Sequence, residues 1–332
     1  MCIAFWSLSH PDYALILAAN RDEFISRPTI AAEWHDFGAE HGSNGPEVLS
    51  GRDVMAGGTW LGINKRGDIA VLTNITELIG KYESSRGELA SNFLTMESLN
   101  GSLPDKSSPT PLSQYFTSLL EGQRRYAGFN LLLLSPKPTS DNSIQYEGAI
   151  ATNSRGGGDI VARSLVDRES LCGGISNSDD NAQPPLADKT NDWPKILEGR
   201  SRFQEIIGQN GWEQDELIEG LCDMMSIQNP TPPTSRYALR TTISVPPIAV
   251  EPNAWSKSIT PDTVPASTVA APALIAQQTD YYCTRLTTVI LIRRDGQVEL
   301  VERDIWTKVE GKSNPVKADK TSQRRFCFQI YR

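Results

Sequence analysis

The chain is poor in the residues that build metal and disulfide sites. It holds three histidines and five cysteines in 332 residues. The cysteines stand at positions 2, 172, 222, 283 and 327, an odd count, widely spaced and without a C-x-x-C pair. That suits free thiols in a reducing compartment better than a disulfide framework. His35 and His41 flank "DFGAE", but two histidines without a third ligand nearby make a poor zinc site, and no metal is expected. A Cys–His dyad using His10 has no supporting pattern. Positive charge is also scarce: 32 basic against 40 acidic residues give a net charge of -8. This argues against nucleic acid or an anionic membrane as partner, while leaving room for a local basic pocket. Long apolar runs are missing, since "ALILAA" and "LLLL" are too short to cross a bilayer. The N-terminus lacks the positive and long apolar regions of a signal peptide, so a cytosolic location is expected. The glycine-rich "AGGTWLG" and "RGGG" fit neither a P-loop nor a dinucleotide fingerprint and read as tight turns.

What remains is an ordinary globular composition, 39% apolar and 22% charged, in a chain long enough to bury a core unaided. Residues 2–8 and 13–19 read as strands joined by the turn chemistry of "SHPD". "GGTWLGI" and "DIAVLTN" flank "NKRG" as a second hairpin. "RLTTVILIR" and "VELVERD" form a third around Asp295-Gly296. Residues 128–135, 143–151 and 169–176 are further strand candidates. Helical spacing marks 85–96, with Ser85 and Glu88 as a capping box, and 112–121, 193–208 and 213–225. Pro/Ser/Asp-rich linkers cover 101–111, 135–142 and 228–234, and an inserted loop covers about 256–280. Hairpins at both ends with helices between predict a single α+β domain over residues 1–332, built on antiparallel sheets. Trp34, Trp60, Trp193 and Trp306 read as core or loop anchors.

The chemistry concentrates at the start. Cys2 follows Met1, and so small a residue at position two permits removal of the initiator. Thiol and α-amine then share one residue, with ordinary pKa values of about 8.5 and roughly 7.7–8.0. Such an amine can serve as base for its own side chain. A turn centred near His10-Pro11 sets Cys2 opposite Ala19 or Asn20, with Arg21 and Asp22 just past the paired end. A guanidinium about 4 Å away offers on the order of 4 kcal/mol at an effective dielectric of about 20. Shifting a thiol from about 8.5 to 7 needs roughly 2 kcal/mol, so Arg21 is expected to favour the thiolate. Asp22 or Glu23 can hold the new ammonium. Equally, Cys2 can be a small core side chain beside a solvated turn.

"MCIAFW", "ANRDEF" followed by "SRP", "AGGTWLGINKRGDIAVLTN", "SRGEL", "GFNLLLL", "GISNS" before "WPK", and "YYCTRLTTVILI" occur in an order that resembles the NRDE family, also called Transport and Golgi Organization protein 2. The resemblance runs from residue 2 to about residue 292. It implies a four-layer αββα sandwich of the N-terminal nucleophile hydrolase type. The nearer analogy is to cysteine amidohydrolases of the choloylglycine hydrolase and acid ceramidase kind. By that analogy Cys2 takes the nucleophile's place, Asn74 and Asn177 fall where oxyanion donors stand, and Arg285 matches a late active-site arginine more weakly. Asn-Arg-Asp-Glu inverts the Arg-Asn-x-Asp order of those enzymes, which leaves the roles of Arg21, Asp22 and Glu23 open. Cys283 stands where the family commonly has glycine. An aligned amide donor to a tetrahedral oxyanion contributes about 3 kcal/mol.

Two functions follow as expectations. One is a family role in secretory-pathway organisation and the handling of lipid-like ligands, with acyl-CoA or heme as ligand and peripheral association with Golgi or mitochondria. The other is a cysteine hydrolase of amides or thioesters that needs no cofactor. A redox-sensing terminal thiol is the plainest alternative.

Overall fold

The computed structural model describes residues 2–38, 47–77, 82, 84–96, 110–140, 143–179, 192–209, 211–250 and 280–331. The expected inserted loop at 256–280 lies outside the described residues except for Asp280, which begins a strand.

Strands β1 (Cys2–Ser7) and β2 (Tyr13–Phe24) form the first hairpin. On β2 the run "YALILAA" is buried throughout, as a strand covered on both faces must be. Leu15, Leu17 and Ala19 point to one side with Ala4 and Trp6 of β1. Ile16 and Ala18 point to the other with Ile3 and Phe5. This period of two decides everything that follows.

The second sheet runs in chain order: β3 (Thr29–His35), β4 (Val48–Asp53), β5 (Leu61–Asn64), β6 (Ile69–Asn74), β7 (Phe129–Pro138), β8 (Ile144–Thr152) and β9 (Val161–Ser164). Its pairings are all antiparallel. The first sheet has the order β10 (Gly173–Ile175), β1, β2, β12 (Asp280–Arg293), β13 (Gln297–Asp304), β16 (Gln323–Gln329), and β11 (Ile248–Val250) pairs with β12. Two short strands, β14 (Trp306–Thr307) and β15 (Val316–Lys317), pair with each other.

Three apolar clusters define the layers. Between the sheets, Trp6, Leu15 and Leu17 meet Leu49, Ile63 and Leu132. Helices α4 (Pro194–Ile207) and α5 (Gln214–Met225) cover the outer face of the first sheet, setting Phe203 and Leu221 against Phe5 and Ile16. Helices α1 (Arg86–Thr95) and α2 (Pro111–Glu121) cover the second, where Phe93 and Tyr115 pack on Phe129 and Leu131. The chain is therefore the expected αββα sandwich of two antiparallel sheets. No described helix is long and apolar enough to cross a membrane.

Several local expectations change. Residues 169–176 are not one strand: α3 (Asp167–Leu171) precedes β10. The linker assigned from residue 135 is in part strand, because β7 continues to Pro138 against β8. The capping box is half realised: Ser85 accepts from the Gly87 amide, while Glu88 pairs with Arg124 at 3.3 Å. The "AGGTWLG" turn has a definite task. Gly57 and Gly58 both hold φ of +70°, and a Cβ on Gly58 would stand 2.3 Å from the Gly87 carbonyl group. Loop and helix start thus meet backbone to backbone, which only glycine permits.

Candidate active site

β2 continues to Phe24, so the Asn-Arg-Asp-Glu run lies inside the strand and Cys2 pairs directly with Arg21. The expected register, with Cys2 opposite Ala19 or Asn20, is corrected by this pairing. The turn is centred nearer Pro11-Asp12, where His10 Nδ1 accepts from the Asp12 amide at 3.1 Å. His10 therefore sits at the far end of the hairpin from Cys2. His35 is buried and bonded to Ser50 at 2.9 Å, and His41 lies outside the described residues.

Alternation splits the four-residue run. Asn20 faces the α4/α5 layer. Its Nδ2 donates to the Met225 carbonyl at 2.7 Å and the Ile243 carbonyl at 3.1 Å, and its Oδ1 accepts from Thr287 at 2.6 Å. It ties the helical layer to the sheet. Arg21 faces a cavity of about 450 Å³ whose wall includes Cys2, Trp60 and Asn74. The Arg21 guanidinium carbon lies 4.1 Å from the centre of the Trp60 ring. Its Nη1 is buried and finds no hydrogen-bond partner. A cation over an aromatic face gains about 0.5–2 kcal/mol, whereas burying an ion costs several. Trp60 alone does not compensate this charge.

Asp22 is buried and accepts from the Thr284 hydroxyl at 2.5 Å. Burial raises its pKa, and the chain-terminal ammonium, Lys195 and Thr284 oppose that rise. Glu23 accepts from the Phe24 amide and stands 3.9 Å from Arg27, which donates to Asp53 at 2.7 Å. Cys2 is half-buried. Burial pushes its thiol pKa up, the Asp22 carboxylate adds to the rise, and the terminal ammonium, Arg21 and a hydrogen bond from the Asp22 backbone work the other way. Burial wins over Arg21, the reverse of the expected thiolate. At rest the group is a neutral thiol.

The two sheets are locked together at this point. Ser176 donates to the Cys2 carbonyl at 2.7 Å, and its own carbonyl accepts from Thr73 at 2.6 Å and Asn130 at 3.0 Å. "GISNS" is thus the clamp that holds Cys2 beside the end of β6, where Asn74 lines the cavity.

The model of the family described as Transport and Golgi organisation 2 matches residues 1–307. The chain belongs to that family. Its human homologue, Transport and Golgi organization protein 2 homolog, is 29% identical over 318 residues, covering 93% of this chain and 94% of the homologue. The cattle protein of the same name is 30% identical over 92% of this chain and 93% of its own length. Among solved structures, a mutant conjugated bile acid hydrolase from Clostridium perfringens aligns with all of this chain and 97% of its own, at 10% identity and a TM-score of 0.43. A Caenorhabditis elegans N-acylethanolamine-hydrolyzing acid amidase ortholog aligns with 66% of this chain and 85% of its own, at 10% identity and a TM-score of 0.40.

In this member of the Transport and Golgi organisation 2 family, the expected site residues do not all converge. Cys2, Arg21, Asp22 and Asn74 line one cavity. Asn177 does not: it is buried behind the wall, its Nδ2 donating to the Asn74 carbonyl and its own carbonyl accepting from Thr76. It braces Asn74 rather than facing a reacting carbonyl. Arg285 does not line the cavity either, although its charge acts on Arg21. It occupies the register shift between Thr284 and Leu286 on β12, and its Nη1 donates to the Arg27 carbonyl at 2.5 Å and the Thr29 hydroxyl at 3.2 Å. It ties down the β2–β3 connection. Cys283 is fully buried and its thiol pKa is pushed up to about 12, chiefly by burial, which makes it inert.

Three participants were not assigned from sequence. Arg86 and Arg236 line the cavity. Lys195 on α4 is fully buried, and its Nζ has no hydrogen-bond partner. Its pKa is lowered by burial, against the opposing pull of Asp22 and Cys2. "SRGEL" and "WPK" carry Arg86 and Lys195 within the family motifs, but nothing in either motif distinguishes a cavity residue from a surface one. Arg236 has no local signal.

Proposed function

We propose that the chain is a cysteine acyl hydrolase whose N-terminal nucleophile, after loss of Met1, is Cys2, acting on an amide or thioester. The observation that carries this reading is the pairing of Cys2 with Arg21 on a cavity wall that also contains Asn74. A core cysteine needs neither the cavity nor the clamp through Ser176.

The neutral thiol fits the chemistry of an N-terminal nucleophile. The α-amine of Cys2 accepts the thiol proton as Sγ attacks the substrate carbonyl. The tetrahedral oxyanion is stabilised by the Asn74 side chain. Collapse expels the amine or thiol, which takes the proton from the α-ammonium, and leaves an acyl group on Sγ. Water, deprotonated by the same amine, releases the acid and restores the thiol. Asp22, held by Thr284, is the counter-charge for the transient ammonium, and Lys195 favours its ionised form.

Acyl-CoA offers the nucleophile a thioester, its phosphates standing a pantetheine arm away from that bond; heme offers neither a thioester nor an amide. His10 and His35 are not among the residues that line the cavity, and the steps above use no iron. We attach the reaction to the secretory-pathway role that the family's name suggests, at a cytosolic site peripheral to the Golgi or mitochondria.

The test is turnover of a panel of acyl amides and acyl thioesters by the wild type and Cys2→Ala. Turnover lost in Cys2→Ala supports the reading. Its absence from the wild type processed to begin at Cys2 contradicts it.

A further inference from the structure

We infer that Arg21, Arg86 and Arg236 form an anion subsite that takes the phosphate or carboxylate of the ligand. The inference rests on the reading of this cavity as the place where an acyl substrate binds.

Four arginines line the cavity, at positions 21, 27, 86 and 236. Arg27 is already matched by Asp53 and Glu23. The other three have no carboxylate in ion-pair reach among the described residues. Arg86 uses Nη1 on the Gly128 carbonyl at 3.0 Å, and Arg236 uses Nη1 on the Glu77 carbonyl at 2.9 Å. Each keeps the rest of its guanidinium fork for something else. Arg21 is 3% exposed, and its Nη1 has no partner at all.

The acids nearby act on these charges only across space, Glu77 on Arg86 and Arg236, and Glu23 and Asp53 on Arg21, without forming an ion pair with them. Asp53 and Glu23 belong to Arg27. The Glu77 carboxylate accepts from the Gly128 amide at 2.5 Å and the Gly156 amide at 2.6 Å. Asp22 is engaged by Thr284. Arg86 is also the first residue of the ten-residue α1, so the positive end of that helix adds to the field. Planar guanidinium forks are suited to bidentate oxyanion contacts. A chain of net charge -8 has gathered four arginines in one concave site of about 450 Å³, three of them without an ion pair among the described residues. Because Arg21 is the cross-strand partner of Cys2, the ligand's acid lies close to its acyl bond.

The experiment is calorimetric titration of the full chain with inorganic pyrophosphate and, separately, with glutarate. Saturable binding of either probe is expected, weakened at least tenfold in Arg86→Gln and in Arg236→Gln and largely kept in Arg236→Lys. Pyrophosphate alone would assign the site to phosphate, and glutarate alone to carboxylate. A second measurement needs no variant: mass-mapped phenylglyoxal modification of the wild type, in which the binding probe should protect Arg86 and Arg236. No saturable binding of either probe overturns the inference, as does equal affinity in both glutamine variants or no protection of either arginine. Binding is read without turnover and should persist in Cys2→Ala. Intact binding without hydrolysis would count against the hydrolase alone, and hydrolysis indifferent to Arg86 and Arg236 against the subsite alone.

Discussion

Cys2 and Arg21 occupy directly opposed positions on β1 and β2, yet the guanidinium does not make the thiol acidic. Burial raises the thiol pKa more than Arg21 lowers it. Iodoacetamide alkylation mapped to Cys2 should therefore keep accelerating with pH beyond the ordinary thiol range near 8.5. Arg21→Gln should move the midpoint higher still. A midpoint below that range would contradict the electrostatics described.

Lys195 offers a test of the buried charge beneath the site. Its folded pKa is lowered from the ordinary lysine value of 10.5 by burial. Between the folded value and 10.5, the unfolded chain binds more protons at this residue, so its contribution to stability rises with pH. Wild type should gain stability relative to Lys195→Met as pH climbs from neutral towards 10, as read by urea unfolding of both proteins. A stability difference that stays flat or falls would show that Lys195 is not held in the described environment.

Gly58 and Gly57 share φ of +70° but differ in their neighbours. Alanine at Gly57 meets only the left-handed backbone penalty of about 1–2 kcal/mol. Alanine at Gly58 also collides with Gly87, for a total of about 3 kcal/mol or more. Thermal unfolding of the two variants should separate clearly, with Gly58→Ala much the weaker. Equal melting points would mean that loop and helix are not in contact.

Arg285 divides stability from chemistry. Its bonds to the Arg27 carbonyl and Thr29 hydroxyl are charge-assisted, and Arg285→Ala should cost about 2 kcal/mol. The Cys2 alkylation rate should stay within a factor of about two of wild type, the variation left by a 0.4 kcal/mol change in a barrier. A large loss of Cys2 reactivity with stability intact would return Arg285 to the active site.

The hairpins and the four helices of 85–96, 112–121, 193–208 and 213–225 were legible because periods of 2 and 3.6 residues are local properties, whereas the two-sheet sandwich was implied by the family resemblance. The site was legible only in part. Cys2 and Arg21 could be brought together from one hairpin, although a register defined by turn chemistry alone missed the true pairing. Asn74 ends a strand that the sequence marks clearly. Asn177 and Arg285 share motifs with site residues, but their side chains are spent on the Asn74 carbonyl and the β2–β3 connection. Which carbonyl a side chain reaches is a tertiary fact. The same holds for Arg86 and Arg236, which have no ion pair among the described residues, and for Lys195, whose Nζ has no hydrogen-bond partner, where most buried charges have one.

The most direct test of the account is intact-mass analysis of the purified chain after exposure to a short-chain acyl-CoA thioester, quenched in acid and mapped by peptide. The account predicts a chain that begins at Cys2 and carries a single acyl group on that residue, absent in Cys2→Ala. A chain that retains Met1, or acylation spread over Cys327 and other exposed side chains with none on Cys2, would contradict it.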